Sequence, residues 1–214
     1  MTEQIGIATT GPGNSTILRE GVMPSREALS DETVVGRCLA GEPEAFEILF
    51  ERYRDQVFAL TLRYSGDRDE AADLMQDVFV KVFERLHLFK FKSAFSTWLY
   101  RVAVNTSLDR RRWRKRREDP PEDWRQQPSP QRPDAGIREE RLRDTLDEAL
   151  QELPEHFRLV VILKDLQDFA YDEIASILGI SRGTVASRLN RGRKALRKVL
   201  ERRGFGDAGG EERE

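Results

Sequence analysis

An all-α chain of two small domains is the fold that the sequence predicts: a helical bundle, then a helix-turn-helix domain, joined by a flexible linker. Apolar residues recur at three- and four-residue steps through two long blocks, the mark of helices with one buried face. Five of the nine prolines fall in the single polar stretch between those blocks. Within the second block, caps, a turn glycine and apolar positions fall in helix-turn-helix register.

Residues 1–29 lack periodicity and are rich in Gly, Thr and Ser, which predicts a flexible tail. Residues 30–113 form the first domain. Its stripes are Phe46, Leu49, Phe50, Tyr53 and Val57, then Ala71, Leu74, Val78, Val82 and Leu86, then Phe95, Trp98, Leu99, Val102 and Thr106. Pro120, Pro121, Pro128, Pro130 and Pro133 make residues 114–138 a linker, partly extended and stiffened by proline. Residues 139–203 form the second domain, broken near Pro154, near Asp168 and at Gly179, and residues 204–214 a second flexible tail.

In the run Tyr171 to Val185 a short helix ends at Gly179, which can take the left-handed conformation of a helix C-terminus. Ser181 can cap the helix that follows. Ile174, Ala175 and Leu178 then face Val185 and Leu189. Along the second helix Val185, Leu189, Gly192, Leu196 and Val199 form the stripe expected to be buried. Ser187, Asn190, Arg191 and Lys194 point away from it, and Arg188 joins this candidate DNA-facing set. Arg and Asn suit bidentate contact with guanine and adenine edges, while Arg182 and Arg193 on the flanks suit phosphates. Ala170 stands where a capping side chain would serve the first helix, at a cost of about 1 kcal/mol.

The net charge of −2 hides strong segregation. Arg110, Arg111, Arg112, Arg114, Lys115, Arg116 and Arg117 make one basic patch, and Arg188 through Arg203 a second. Glu42, Glu44, Glu47 and Glu51, and then Asp67, Asp69, Glu70, Asp73 and Asp77, are acidic. Two basic patches on an acidic background read as two anchors for a polyanion, the alternative being solvated helix faces. Asp73, Gln76, Asp77, Val80 and Glu84 lie opposite the apolar stripe of their helix, an acidic face that suits a basic protein partner or simply solvent. On the next helix Arg101, Asn105 and Arg112 share one flank, whereas Trp98 could serve the core or stack on bases. Arg110, Arg111, Arg114 and Lys115 are placed for backbone phosphates.

No run resembles a signal peptide or a membrane span. The single Cys38 rules out an internal disulfide and any Cys-rich metal site, and His87 and His156 lie far apart. No paired His/Cys ligands, Walker-type phosphate loop or nucleophile elbow is present. The expectation is a cytoplasmic protein with no cofactor, no metal and no enzymatic activity. A stand-alone helix-turn-helix regulator explains the second domain but leaves the first without a role.

Asp73-Leu74-Met75-Gln76-Asp77-Val78-Phe79-Val80-Lys81-Val82-Phe83, followed by Phe95-Ser96-Thr97-Trp98-Leu99-Tyr100-Arg101-Val102-Ala103-Val104-Asn105, resembles region two of extracytoplasmic-function sigma factors. The helix-turn-helix with Leu153-Pro154 upstream resembles their region four. The resemblance implies a sigma factor that carries RNA polymerase core to promoter DNA and opens it. Region two would dock on the clamp helices of the largest subunit through Asp73, Gln76, Asp77, Val80 and Glu84. It would read and open the −10 element with Arg101, Asn105 and Arg112. Region four would read the −35 element through its recognition helix and meet the flap of the second-largest subunit. An anti-sigma factor is a further implied partner. Relatives often read Phe-Arg-Gly-Asp-Ser in the loop that accepts a flipped base. Here Phe89 is followed by Lys90, Phe91, Lys92 and Ser93, which implies a pocket of another shape. Ala186 stands where a basic residue is frequent on the recognition helix, so the −35 sequence is not inherited from relatives.

Overall fold

The computed structural model describes residues 29–117 and 137–205. The expected N-terminal tail, the body of the proline-rich linker and most of the C-terminal tail lie outside the described residues. The described residues form eight α-helices and no strand. The first four are α1 (Asp31–Leu39), α2 (Phe46–Ser65), α3 (Arg68–Arg85) and α4 (Phe95–Arg117). The second group comprises α5 (Ile137–Gln151), α6 (Glu155–Val161), α7 (Tyr171–Leu178) and α8 (Arg182–Arg202). Helix α4 runs past residue 113 and α5 opens at Ile137, so helix takes up both ends of the stretch expected to be linker.

Local chemistry sets the boundaries. The side chain of Ser30 accepts from the Thr33 amide (3.2 Å) and that of Asp67 from the Glu70 amide (2.7 Å), capping α1 and α3. Gly66, at φ 79°, ends α2 in the left-handed conformation. Asp31 accepts from both Arg52 and Tyr53, which ties the start of α1 to α2. The expected stripes close the first core: Leu49, Val57, Ala71, Leu74, Val78, Val82, Phe95 and Leu99 are buried, with Phe46 and Phe50 half-buried at its edge.

In the second group α8 crosses α6 at Gly192. A Cβ there would stand 2.9 Å from Val161 Cγ2 and 3.3 Å from the Phe157 carbonyl oxygen, so the crossing requires glycine. Val185, Leu189 and Val199 are buried with it, and Leu196 is half-buried. On α7 the buried partners of this stripe are Ile174 and Ile177, while Ala175 and Leu178 are only half-buried. Ala175 and Leu178 still pack against the core that holds Val185 and Leu189, and Ile177 is buried more deeply than either. Ala170 offers no capping side chain, yet its amide donates to the Glu173 carboxylate (2.8 Å), so half of a capping box survives.

The two helical groups do not sit apart on a tether; they pack against each other. Helix α2 meets α5, and α4 meets α7. Arg158, 5% exposed, donates to the Tyr64 carbonyl (2.8 Å), while Gln151 Nε2 donates to the Arg63 carbonyl (2.8 Å). The last carbonyls of a helix lack intrahelical donors, and side chains of the second group satisfy those of α2. Arg158 also holds its own side of the junction, bonding the carbonyls of Gln151 (2.7 Å) and Leu153 (3.1 Å). Arg63 pairs with Asp147 at 3.2 Å and Arg111 with Glu155 at 2.6 Å. Burial first, and then the neighbouring Glu155, push the Tyr64 hydroxyl up to about 12.

Candidate functional site

Helix α8 presents the first candidate surface. Ser181 accepts from the Thr184 amide (3.1 Å), which fixes where the helix begins and leaves its positive end facing outward. Ser187, Asn190, Arg191 and Lys194 are exposed on the side opposite the buried stripe, Arg182 is exposed on its flank, and Arg188 is half-buried. Ser187 turns its hydroxyl back to the Thr184 carbonyl (3.0 Å), and Arg182 lies 3.4 Å from Asp172 of α7. Arg193, expected on a phosphate, is instead held by both carboxylate oxygens of Asp165, which raises its guanidinium above the usual range.

Helix α4 and the loop before it present the second. Lys90, Phe91, Lys92 and Ser93 are all exposed. Phe91 sits at φ 55°, a left-handed conformation uncommon for a bulky side chain. Its ring lies 4.8 Å from that of Phe89, which in turn packs on Phe95 (5.7 Å) and Trp98 (5.6 Å). Trp98 is thus half-buried in an aromatic cluster under the loop, close to the core role. Asn105 and Arg112 are exposed on the flank, with Arg112 3.3 Å from Asp109. Arg101, on the same flank, is bonded to Ser176 of α7, and its buried Nε has no partner among the described residues.

The third surface is the outer face of α3, where Asp73, Gln76, Asp77, Val80 and Glu84 are exposed. Arg110, assigned to phosphates on sequence, bridges Asp77 (2.9 Å) and Asp73 (3.2 Å), and Arg114 meets Glu70 at 2.7 Å. Basic and acidic patches that lie far apart in sequence therefore neutralise one another across a groove of about 970 Å³ between α3 and α4. Two exposed aromatics here escaped the sequence reading. Trp113 lines the groove, and Phe83, one turn after Val80, lies edge-on to Phe46 at 5.1 Å. Spacing could have found Phe83, since it shares a face with Val80. Nothing local to the sequence pairs Arg101 with Ser176.

Residues 49–117 match the family Sigma-70 region 2, and residues 143–196 the family Sigma-70, region 4. Curated relatives agree. The ECF RNA polymerase sigma-E factor of Escherichia coli is 35% identical over 79% of this chain and 94% of its own length. The chain belongs to the ECF group of sigma-70 family sigma factors. The RNA polymerase sigma-H factor of Pseudomonas aeruginosa is 33% identical over 80% of this sigma factor and 94% of its own length. ECF RNA polymerase sigma factor SigE of Mycolicibacterium smegmatis is 38% identical over 73% of the chain, which spans 62% of that relative. Among solved structures, CnrH in complex with the cytosolic domain of CnrY gives a TM-score of 0.61 at 25% identity, covering 80% of this chain and 97% of its own. RpoE in complex with the anti-sigma factor NepR, from Bartonella quintana, gives 0.60 at 25%, covering 73% and 96%. This sigma factor therefore binds RNA polymerase core and promoter DNA and directs promoter-specific initiation of transcription. Its family is not one of known enzymes. No described helix is long and apolar enough to cross a membrane.

Proposed function

We propose a division of this role among the three surfaces. The acidic face of α3, with Val80 and Phe83 at its apolar end, docks on the clamp helices of the polymerase's largest subunit. The flank of α4 with Arg101, Asn105 and Arg112, together with the loop from Lys90 to Ser93, reads and opens the −10 element. The outer row of α8, with Arg182, Ser187, Arg188, Asn190, Arg191 and Lys194, reads the −35 element, and the second domain also meets the flap of the second-largest subunit. No step of this work makes or breaks a covalent bond, so no catalytic residue is required of the chain. An anti-sigma factor is a fitting inhibitor, because RpoE was solved with one bound.

The observation that carries this reading is the register of α8. Asn190, Arg191 and Lys194 emerge together opposite a buried stripe, the geometry by which a recognition helix enters a major groove. Run-off transcription with purified core polymerase on a promoter library tests it. Transcripts with ordered starts, sharing two upstream elements, are expected. Random starts, or none above core alone, overturn the reading.

A further inference from the structure

We propose that Asp165 is a positioning residue for −35 reading: by gripping Arg193 with both carboxylate oxygens it sets the roll of α8 about its axis, and so which side chains meet base edges. This rests on the reading of α8 as the −35 helix.

Depth and roll are fixed by different contacts. Helix α8 crosses α6 at Gly192, where a Cβ would stand 2.9 Å from Val161 Cγ2. That closeness fixes how far α8 lies from α6 but offers no side chain to key its rotation. The rest of the buried stripe, Val185, Leu189 and Val199, is apolar, and apolar burial is not directional. Arg193 is the next residue along, one turn beyond Asn190. Its Nε donates to one Asp165 oxygen (3.0 Å) and a terminal nitrogen donates to the other. A guanidinium held by two bonds is fixed in orientation as well as in position.

The acceptor stands on a firm base. Asp165 lies in a single π-helical turn, Ile162–Leu166, that continues α6 without a break. Ile162 and Leu163 in that turn are fully buried. The Gln167 amide closes it on the Ile162 carbonyl (3.1 Å), and the Phe169 amide donates to the Leu163 carbonyl (3.0 Å). The chain then turns at Asp168, at φ 54°, whose carboxylate accepts from Lys164 (2.8 Å). One continuous element thus supplies both the crossing surface for Gly192 and the acceptor for Arg193. Short π-turns of this kind recur at functional sites.

Stability does not account for the pair. The Arg193 side chain is 53% exposed and that of Asp165 29%, and ion pairs so open to water contribute little to folding. Reading base edges is more demanding, because productive geometry tolerates errors of only about 0.5 Å and roughly 10–20°. A roll of that size carries Asn190 and Arg191 off the edges they read. The pair also withholds Arg193 from phosphate, trading sequence-independent attraction for a fixed helix.

The test uses the full chain assembled with core polymerase, on promoter duplexes that differ only in the −35 element, preferred or scrambled. Discrimination is a ratio of two affinities measured on one preparation, so any loss of folded protein cancels. Asp165→Ala with Arg193→Ala removes both charges together. Discrimination should fall about tenfold, while the slope of log affinity against log salt stays as in the wild type. Asp165→Ala alone frees the guanidinium at the edge of the DNA. It should also lose discrimination, yet bind the scrambled duplex more tightly, with a slope steeper by up to about one. A purely structural pair would not move these two readings in opposite directions. Discrimination retained by the double variant, a slope shallower by about one in it, or looser scrambled binding by Asp165→Ala each overturns the proposal alone. Equal affinity of the wild-type holoenzyme for both duplexes overturns the assignment of α8, and the proposal with it.

Discussion

Helices α4 and α8, the two proposed to read DNA, differ in what decides their surfaces. Helix α8 is nearly self-sufficient. Its start is set by Ser181, its buried side by Val185, Leu189, Gly192 and Val199, and its outer row is then fixed by the helical repeat. Helix α4 takes its state from distant parts of the chain. Arg110 is held by α3, Arg111 by Glu155, Arg114 by Glu70 and Arg101 by Ser176. The first is a surface ready for a ligand. The second is one whose charges already have partners, which a polyanion or the polymerase must displace.

The largest expected effect breaks the self-sufficient helix. Leu189 is fully buried, so Leu189→Ala should cost about 2–5 kcal/mol, read as a lower urea midpoint. If the cost were well under 1 kcal/mol, α8 would not depend on its buried stripe. Arg191→Ala leaves the helix intact and removes one outward side chain. It should cost about 1–3 kcal/mol at the preferred −35 sequence and relax discrimination there. Lys198→Ala should instead weaken binding alike on every sequence. Gel-shift titrations with matched and scrambled −35 duplexes distinguish these outcomes, and unaltered discrimination in the Arg191 variant would mean that another face reads the bases.

Legibility follows the same divide. The stripes of α2, α3, α4 and α8, the break at Gly179, the cap at Ser181 and the outward row of α8 depend on residues within a turn or two of one another, and these were readable. The docking of the two domains was not, because it depends on Arg158, Gln151 and Glu173, polar residues that resemble surface positions until the helix they touch is known. The same reason hid the fate of Arg110 and Arg193. Composition shows that an arginine is charged, but only the fold shows that Asp73 and Asp77, or Asp165, already answer it. Ile177, buried beside the expected Ile174, was left out of the α7 face, whose other expected members Ala175 and Leu178 pack against the same core.

Capping offers a finer comparison within the second domain itself. Ala170 holds N-cap geometry, at φ −67° and ψ 156°, close to that of Ser181 at φ −72° and ψ 151°. Ser181→Ala should lower stability by about 1 kcal/mol, and Ala170→Ser should raise it by up to about 1 kcal/mol. Thermal melts of the two variants check both signs. No gain from Ala170→Ser would show that the Glu173 carboxylate already supplies what the cap lacks.

An effect of similar size to the capping changes tells the two helices apart by mechanism. Asn105 is exposed on α4, clear of the contacts that tie Arg101, so its loss should leave the fold and core binding unchanged. Opening a duplex without ATP requires the protein to favour the unpaired state, and extruding a base costs a few kcal/mol. One hydrogen bond from Asn105 to a base edge near the fork contributes about 0.5–1.5 kcal/mol of that. Asn105→Ala should therefore slow open-complex formation by up to about tenfold, followed by fluorescence of 2-aminopurine within the −10 element. A promoter already mismatched across that element should rescue most of the defect, because opening is then made in advance. Exchanging Phe91-Lys92 for Gly-Asp should be rescued less, since base selection by the loop persists in a bubble. Wild-type opening kinetics in both variants would remove α4 and its loop from melting and leave α8 as the only helix whose surface reads DNA.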